Sequence, residues 1–239
     1  MDEPATVPLD HVERTDDELA SRAAGLLDEM RRRRSVRHFR PDPVPRSVVE
    51  DAIRIAASAP SGANLQPWTW VLVGDPGVRA AIREAAEAEE RAFYDHRAPG
   101  EWLDALAHLG TDWRKPHLTD APWLVVLFRH RYEVDGPTRR RNYYSKESVG
   151  IAAGFFVSAL HQIGLTTLTH TPSPMGFLRE LLGRPDHEEP ELLFPVGRPA
   201  VGARVPAIER RPFDEVCVEV TALPSDARQR PDDDSEATP

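Results

Sequence analysis

Five arginines fall within seven residues, Arg31, Arg32, Arg33, Arg34 and Arg37, with Ser35 among them. Guanidinium groups fork onto phosphate oxygens, so such a run can hold a single phosphate. Judged alone, it also fits a solvated helix end whose cations offset the negative pole of the helix dipole. Glu90 and Tyr94 stand four apart, on one face of any helix that contains them, a pairing that is ordinarily surface decoration. Lysine is scarce, with Lys115 and Lys146 the only two in a chain that carries 28 arginines. Thr166, Thr167, Thr169 and Thr171 form a threonine-rich run that ends at Pro172. Strand propensity accounts for most of it, but not for a hydroxyl at the last position before the break. Pro60-Ser61-Gly62-Ala63 brings small residues to a loop where a backbone can approach a ligand, and taken alone it reads as an ordinary loop.

The elements that must carry these residues are legible from periodicity. Thr15-Asp16-Asp17-Glu18 has the form of a capping box. Leu19, Ala23, Leu26, Leu27 and Met30 follow at helical spacing and lead into the arginine run. Three prolines between Pro41 and Pro45 force an extended segment. Val48, Val49, Ala52, Ile53 and Ala56 mark a second helix that stops before Pro60, and Trp68 to Val73 reads as a buried strand. Asp75-Pro76 opens a third helix running through Ile82 and Ala86 toward Tyr94. Pro99 to Pro116 is a proline-bounded helical segment, and Pro116 directly after Lys115 predicts that no helix passes through the lysine. A strand over Trp123 to Phe128 and a polar loop from Arg131 to Thr138 come next. The most apolar helix, Ser145 to Ile163, has small residues that permit close backbone approach, placing it at the centre of the fold or at a subunit interface. Gly164 closes it. Leu165 to Thr169 reads as a strand, Phe177 to Leu182 as a short helix closed by Gly183, and Leu192 to Val196 as a last strand. No internal repeat is visible. This order predicts an α+β domain with a sheet clad in helices.

Charge narrows the partners. The chain of 239 residues carries a formal net charge of -9. Residues 1–18 hold seven acids against Arg14, and residues 224–239 hold five acids against two arginines, so the 205 residues between them are neutral. Acidity therefore belongs to two expected disordered tails, 1–14 and 224–239, flanking one domain over 15–223. A neutral core does not offer the broad basic surface that nucleic acid requires. The longest apolar stretch, Val149 to Leu160, is far short of the roughly 20 residues of a membrane span. An acidic N-terminus without an apolar run predicts no secretory leader. With Cys217 as the only cysteine, neither an internal disulfide nor a thiolate metal cluster is expected, and the default setting is cytoplasmic.

Over about residues 30–216 the chain resembles the flavin-dependent iodotyrosine deiodinases of the nitroreductase superfamily. The likeness runs through Arg33-Arg34-Ser35-Val36-Arg37, Ala59-Pro60-Ser61-Gly62-Ala63, Gln66-Pro67-Trp68, Tyr143-Tyr144 and Glu147-Ser148-Val149. It continues through Thr171-Pro172, Leu181-Leu182-Gly183-Arg184-Pro185, Pro195-Val196-Gly197 and Arg210. The resemblance implies a nitroreductase-like fold, a mixed sheet clad by helices, in an intertwined homodimer with FMN sites at the interface. It implies FMN contacts from Arg33, Arg34, Ser35, Arg37, Thr169, His170, Thr171 and Arg210, with Ser61 and Gly62 reaching the FMN of the other subunit. Glu90, Tyr94 and Lys115 then fall on a lid that grips the ammonium and carboxylate of a halotyrosine, and the Ala63 N–H holds its phenolate. Thr171, hydrogen-bonded to flavin N5, is the implied catalytic residue, a contact that favours one-electron steps in the removal of halide to give tyrosine. No metal is implied. Two rival readings are a general NAD(P)H-dependent nitroreductase or quinone reductase, and a non-catalytic flavin-binding module.

Overall fold

A computed structural model of the protein describes residues 5–222. Of the expected tails, residues 1–4 and 224–239 lie outside the described residues, while residues 5–13 are exposed and form no helix or strand. The chain divides into two compact units, Met1–Pro206 and Ala207–Pro239. Among the described residues of the second unit, one short helix, Phe213–Val216, precedes the exposed Cys217.

The first unit is built on a four-stranded sheet in the order β1-β2-β6-β5, with β1 Trp68–Val73, β2 Trp123–His130, β5 Thr166–Thr167 and β6 Glu188–Gly197. Every strand pair in it is antiparallel. The parallel contact of the expected mixed sheet is an isolated bridge, Ser35 to Thr167. β2 is buried on both faces, as its continuous apolar run requires. One face packs against α2 (Arg46–Ala57) and α6 (Ser145–Ile163), through Val49, Ala52, Val149, Ala152, Phe156 and Leu160. The other packs against α3 (Pro76–Ala92), α5 (His117–Asp120) and α7 (Gly176–Leu181), through Ile82, Ala86, Leu118 and Leu178. Phe128, Phe156 and Phe194 are fully buried, and each such burial stabilises by about 2 kcal/mol.

The sequence-predicted helices hold closely, except that the segment expected from Pro99 to Pro116 is helical only over Gly100–Ala107. α1 (Asp16–Arg32) begins with the capping box at Thr15, and α6 ends at Gly164 with φ +92. α1 has no buried residue, and Leu26 and Leu27 lie half-exposed. Ile151, Phe155 and Ile163 form an exposed apolar face on α6, lining with Ile55 a shallow depression.

Among the strands and loops, three expectations change. The polar loop after Arg131 is a β-hairpin, β3 (Tyr132–Asp135) and β4 (Thr138–Arg141), turning at Gly136 with φ +57. The strand expected over Leu165 to Thr169 shrinks to Thr166–Thr167 plus a bridge from His170 to Leu193. β6 begins four residues early, at Glu188, because Arg184 and Thr69 bind that carboxylate and let it be buried. Among the described residues, no helix is long and apolar enough to cross a membrane.

Candidate functional site

α3 carries Glu90 in its last turn. Asp75 caps the helix by accepting from Val78 N–H at 2.9 Å, Pro76 opens it, and Ile82 and Ala86 fix its buried face. After Ala92 the backbone widens into a π-type turn, Phe93–Arg97, closed by Ala98 N–H donating to Phe93 C=O at 2.9 Å. Tyr94 sits on this turn, which differs from the uninterrupted helix expected. Such wide turns are uncommon and collect at functional sites.

The short helix α4 (Gly100–Ala107) and a turn then return the chain to Lys115. Its own N–H donates to Glu87 Oε1 at 2.8 Å, and Pro116 caps α5, so the lysine stands at a corner, as the proline predicted. Lys115 Nζ lies 3.2 Å from Glu90 Oε2 and 5.7 Å from the centre of the Tyr94 ring, and donates to Asp112 C=O. The Lys115 and Glu90 side chains are only 5% and 13% exposed. Tyr94 donates its hydroxyl to Thr111 C=O at 3.4 Å. The three residues of the expected zwitterion grip are therefore assembled, although 25 residues of chain separate Glu90 from Lys115.

These residues line a cavity of about 590 Å³ together with Arg37, Thr169, His170 and Thr171. Ser35 and Val36 pair with Thr167, Val36 N–H donating to its C=O at 3.1 Å, which lays the arginine segment beside the threonine run. The expected cofactor residues divide in two. Arg33 and Arg34 open onto a second cavity with Thr166 and Thr167, and the Arg34 guanidinium also donates to Pro206 C=O. Ser61, Gly62 and Ala63 line neither cavity. Their loop is tied to the start of α6, where Gly62 N–H donates to Ser148 Oγ at 3.3 Å, and Ala63 adopts φ 50, ψ 27. Arg210 belongs to the second unit.

His170, expected among the cofactor contacts, directs its ring to the grip: Nε2 is 3.2 Å from Glu90 Oε1. His117, which sequence reasoning missed, packs edge-to-face on it with ring centres 5.2 Å apart. Thr111 was missed as well, and its contribution through a backbone carbonyl leaves no trace in residue type.

The electrostatics are those of groups set in a largely buried wall. Burial alone would raise the Glu90 carboxyl, but the His170 hydrogen bond and the Lys115 charge outweigh it and hold it below the usual range. Burial, with His170 and Lys115 beside it, depresses His117 to about 3. Burial also lowers His170, against the pull of Glu90, and raises Tyr94. Arg37 is half-buried, and among the described residues burial and Tyr94, with no carboxylate, set its electrostatics. A cation so placed beside threonine hydroxyls suits an anionic ligand bearing hydrogen-bond acceptors.

The "Nitroreductase family" model matches residues 30–198. An iodotyrosine deiodinase of Haliscomenobacter hydrossis is 50% identical over 210 residues, covering 87% of this chain and 94% of that protein. The iodotyrosine deiodinase of Nematostella vectensis is 39% identical over 207 residues, 85% of this chain and 78% of its own. Among solved structures, an oxidised iodotyrosine deiodinase bound to FMN and 3-iodo-L-tyrosine superposes with a TM-score of 0.69 at 30% identity, covering 83% of this chain and 100% of that one.

Proposed function

The chain belongs to the nitroreductase family and, within it, to the iodotyrosine deiodinases, and we propose accordingly that it reductively removes halide from halogenated tyrosines with FMN as its cofactor. The observation that carries this reading is the Glu90–Lys115 pair, buried at 3.2 Å in one cavity with Tyr94. A free amino acid brings an ammonium and a carboxylate. Its ammonium can take the place of Lys115 on Glu90 while its carboxylate takes the place of Glu90 on Lys115. No charge is left unpaired in that exchange. An amine or an acid alone strands one buried partner, at a cost of several kcal/mol by order of magnitude. Rejection of the wrong ligand is thus built into the pocket's own ion pair.

The cofactor residues fit an FMN. Arg37 offers an unpaired, half-buried cation, and Thr169 and Thr171 bring hydroxyl donors to the same cavity. In this reading Arg33, Arg34, Ser35 and Arg37 would hold the phosphate end, and Thr169 and Thr171 would flank the ring, with Thr171 as the hydrogen-bond donor to flavin N5. When bound, the reduced flavin supplies two electrons, one at a time, which with one proton convert the carbon–halogen bond to carbon–hydrogen and free halide. The chain's own contribution is to bind and orient the zwitterion and to exclude water; the Ala63 N–H, on the same loop as Ser61 and Gly62, would hold the phenolate of a substrate in the partner subunit's cavity of a homodimer. Ser61 and Gly62 serve the partner subunit's FMN in a homodimer, a reading supported by the exposed apolar faces of α1 and α6. A cytoplasmic setting belongs to the same proposal.

The test is to purify the protein, record its flavin spectrum, and measure iodide release from diiodotyrosine with dithionite as reductant. A colourless protein without FMN affinity refutes the whole reading. If Glu90→Gln and Lys115→Ala leave halotyrosine binding unchanged while nitroaromatic turnover is normal, the general nitroreductase is the correct assignment.

A further inference from the structure

Glu90 has two oxygens and two partners, Lys115 on Oε2 and His170 on Oε1, each at 3.2 Å. Substrate entry, on the halotyrosine reading above, draws Lys115 away to the incoming carboxylate. During that exchange Glu90 keeps one tether. We propose that His170 is a positioning residue for substrate recognition, whose Nε2–H holds Oε1 of Glu90 so that Oε2 stays aimed at the incoming ammonium.

Three features support this. First, His170 is anchored where Glu90 is not: its N–H donates to Leu193 C=O at 2.8 Å and its C=O accepts from Leu193 N–H at 3.0 Å, fixing it to central strand β6. Glu90 instead stands in the last turn before the π-type turn, on a side chain with three rotatable bonds. The contact thereby ties the cavity wall to the sheet.

Second, the tautomer follows from the partner. A carboxylate only accepts, so Nε2 carries the hydrogen and Nδ1 carries the lone pair. Nδ1 is buried and meets no donor, so no second bond competes for the ring's orientation.

Third, the ring is neutral. Burial, with Lys115 and Arg37, disfavours its charged form and outweighs the opposing pull of Glu90. A neutral donor orients Glu90 without cancelling the charge that the ammonium needs, which an Arg or Lys at position 170 would do.

The experiment uses the oxidised FMN-loaded protein and flavin fluorescence quenching by two ligands, 3-iodotyrosine and 2-iodophenol, the second lacking the amino acid group. His170→Met fills similar space without a donor, whereas the amide of His170→Gln can place an N–H near the lost Nε2–H. Loss of a hydrogen bond to a charged group predicts that His170→Met weakens 3-iodotyrosine by roughly tenfold or more and changes 2-iodophenol by less than about twofold. His170→Gln should recover most of that loss. Equal weakening of both ligands, no weakening of 3-iodotyrosine, or no recovery by Gln overturns the proposal. Failure of the unaltered FMN-loaded protein to bind 3-iodotyrosine would instead overturn the deiodinase reading.

Discussion

Replacing Lys115 by Met removes a cation whose partner is largely buried. The two side chains are 5% and 13% exposed and their charged atoms lie 3.2 Å apart. At that distance the attraction is about 5 kcal/mol for an effective dielectric near 20, and the cost of drying both groups must be subtracted from it. Removing either partner leaves the other charge buried, so Lys115→Met and Glu90→Gln should each destabilise the FMN-loaded protein by about 3 kcal/mol at neutral pH. His170 keeps donating to Glu90 in the first variant, which places its cost at the lower end of the range. The double variant buries no uncompensated charge and should be no less stable than either single one, a coupling of roughly 3 kcal/mol in a double-mutant cycle. Denaturant unfolding followed by circular dichroism reads the four stabilities, and flavin quenching reads halotyrosine affinity, which should fall in all three variants. Single costs that simply add in the double variant would refute the idea of a self-satisfied pair. Halotyrosine affinity that survives in the double variant would refute its role as receptor.

Other outcomes follow from separate parts of the structure. His117 has a folded pKa of about 3 against an ordinary 6.5, so its contribution is complete above the unfolded value and is lost as pH falls. Between about pH 6 and pH 4 the wild type should therefore lose roughly 2–3 kcal/mol relative to His117→Phe, read by urea unfolding at each pH. Gly74→Ala places a Cβ 2.3 Å from the Trp123 ring, which is held by its Nε1–H on Val44 C=O at 2.8 Å. That overpacking should cost about 2 kcal/mol and lower the thermal midpoint. Arg37→Met removes the unpaired guanidinium from the main cavity and should weaken FMN by roughly tenfold or more in a titration of apoprotein, whereas unchanged affinity would detach Arg37 from the cofactor.

Much of this architecture was readable because burial leaves a periodic trace. β1 and α6 fall on their expected spans since one is an apolar run and the other a long apolar helix closed by a left-handed glycine. The β3–β4 hairpin escaped because Thr138 to Arg141 is exposed along its whole length, and a strand with no buried face shows no alternation. Its one local signal was Asp135-Gly136. β6 was read short because Glu188 breaks the apolar pattern, and only Arg184 and Thr69 reveal why it can be buried. Within the site, Glu90 and Tyr94 could be set on one helical face from spacing, though not given a role. Lys115 could not, since it joins them only through the excursion of α4, and it was placed by resemblance. The His170–Glu90 contact spans 80 residues and carries no sequence signal.

Ala63, Asn64, Gln66 and Tyr144 all adopt left-handed backbone angles, with φ between 47 and 56. An L-residue held there costs about 1 kcal/mol relative to glycine. The strain is concentrated in one place, because a Cβ on Gly62 would lie 3.1 Å from Tyr143 C=O and 3.3 Å from the Tyr144 ring. The strained loop and the strained entry to α6 thus brace each other. For sequence drift, the consequence is a filter that ignores side-chain chemistry. Glycine, asparagine and aspartate can enter these four positions at little cost, while valine, isoleucine and threonine are turned away by the backbone before any ligand is consulted.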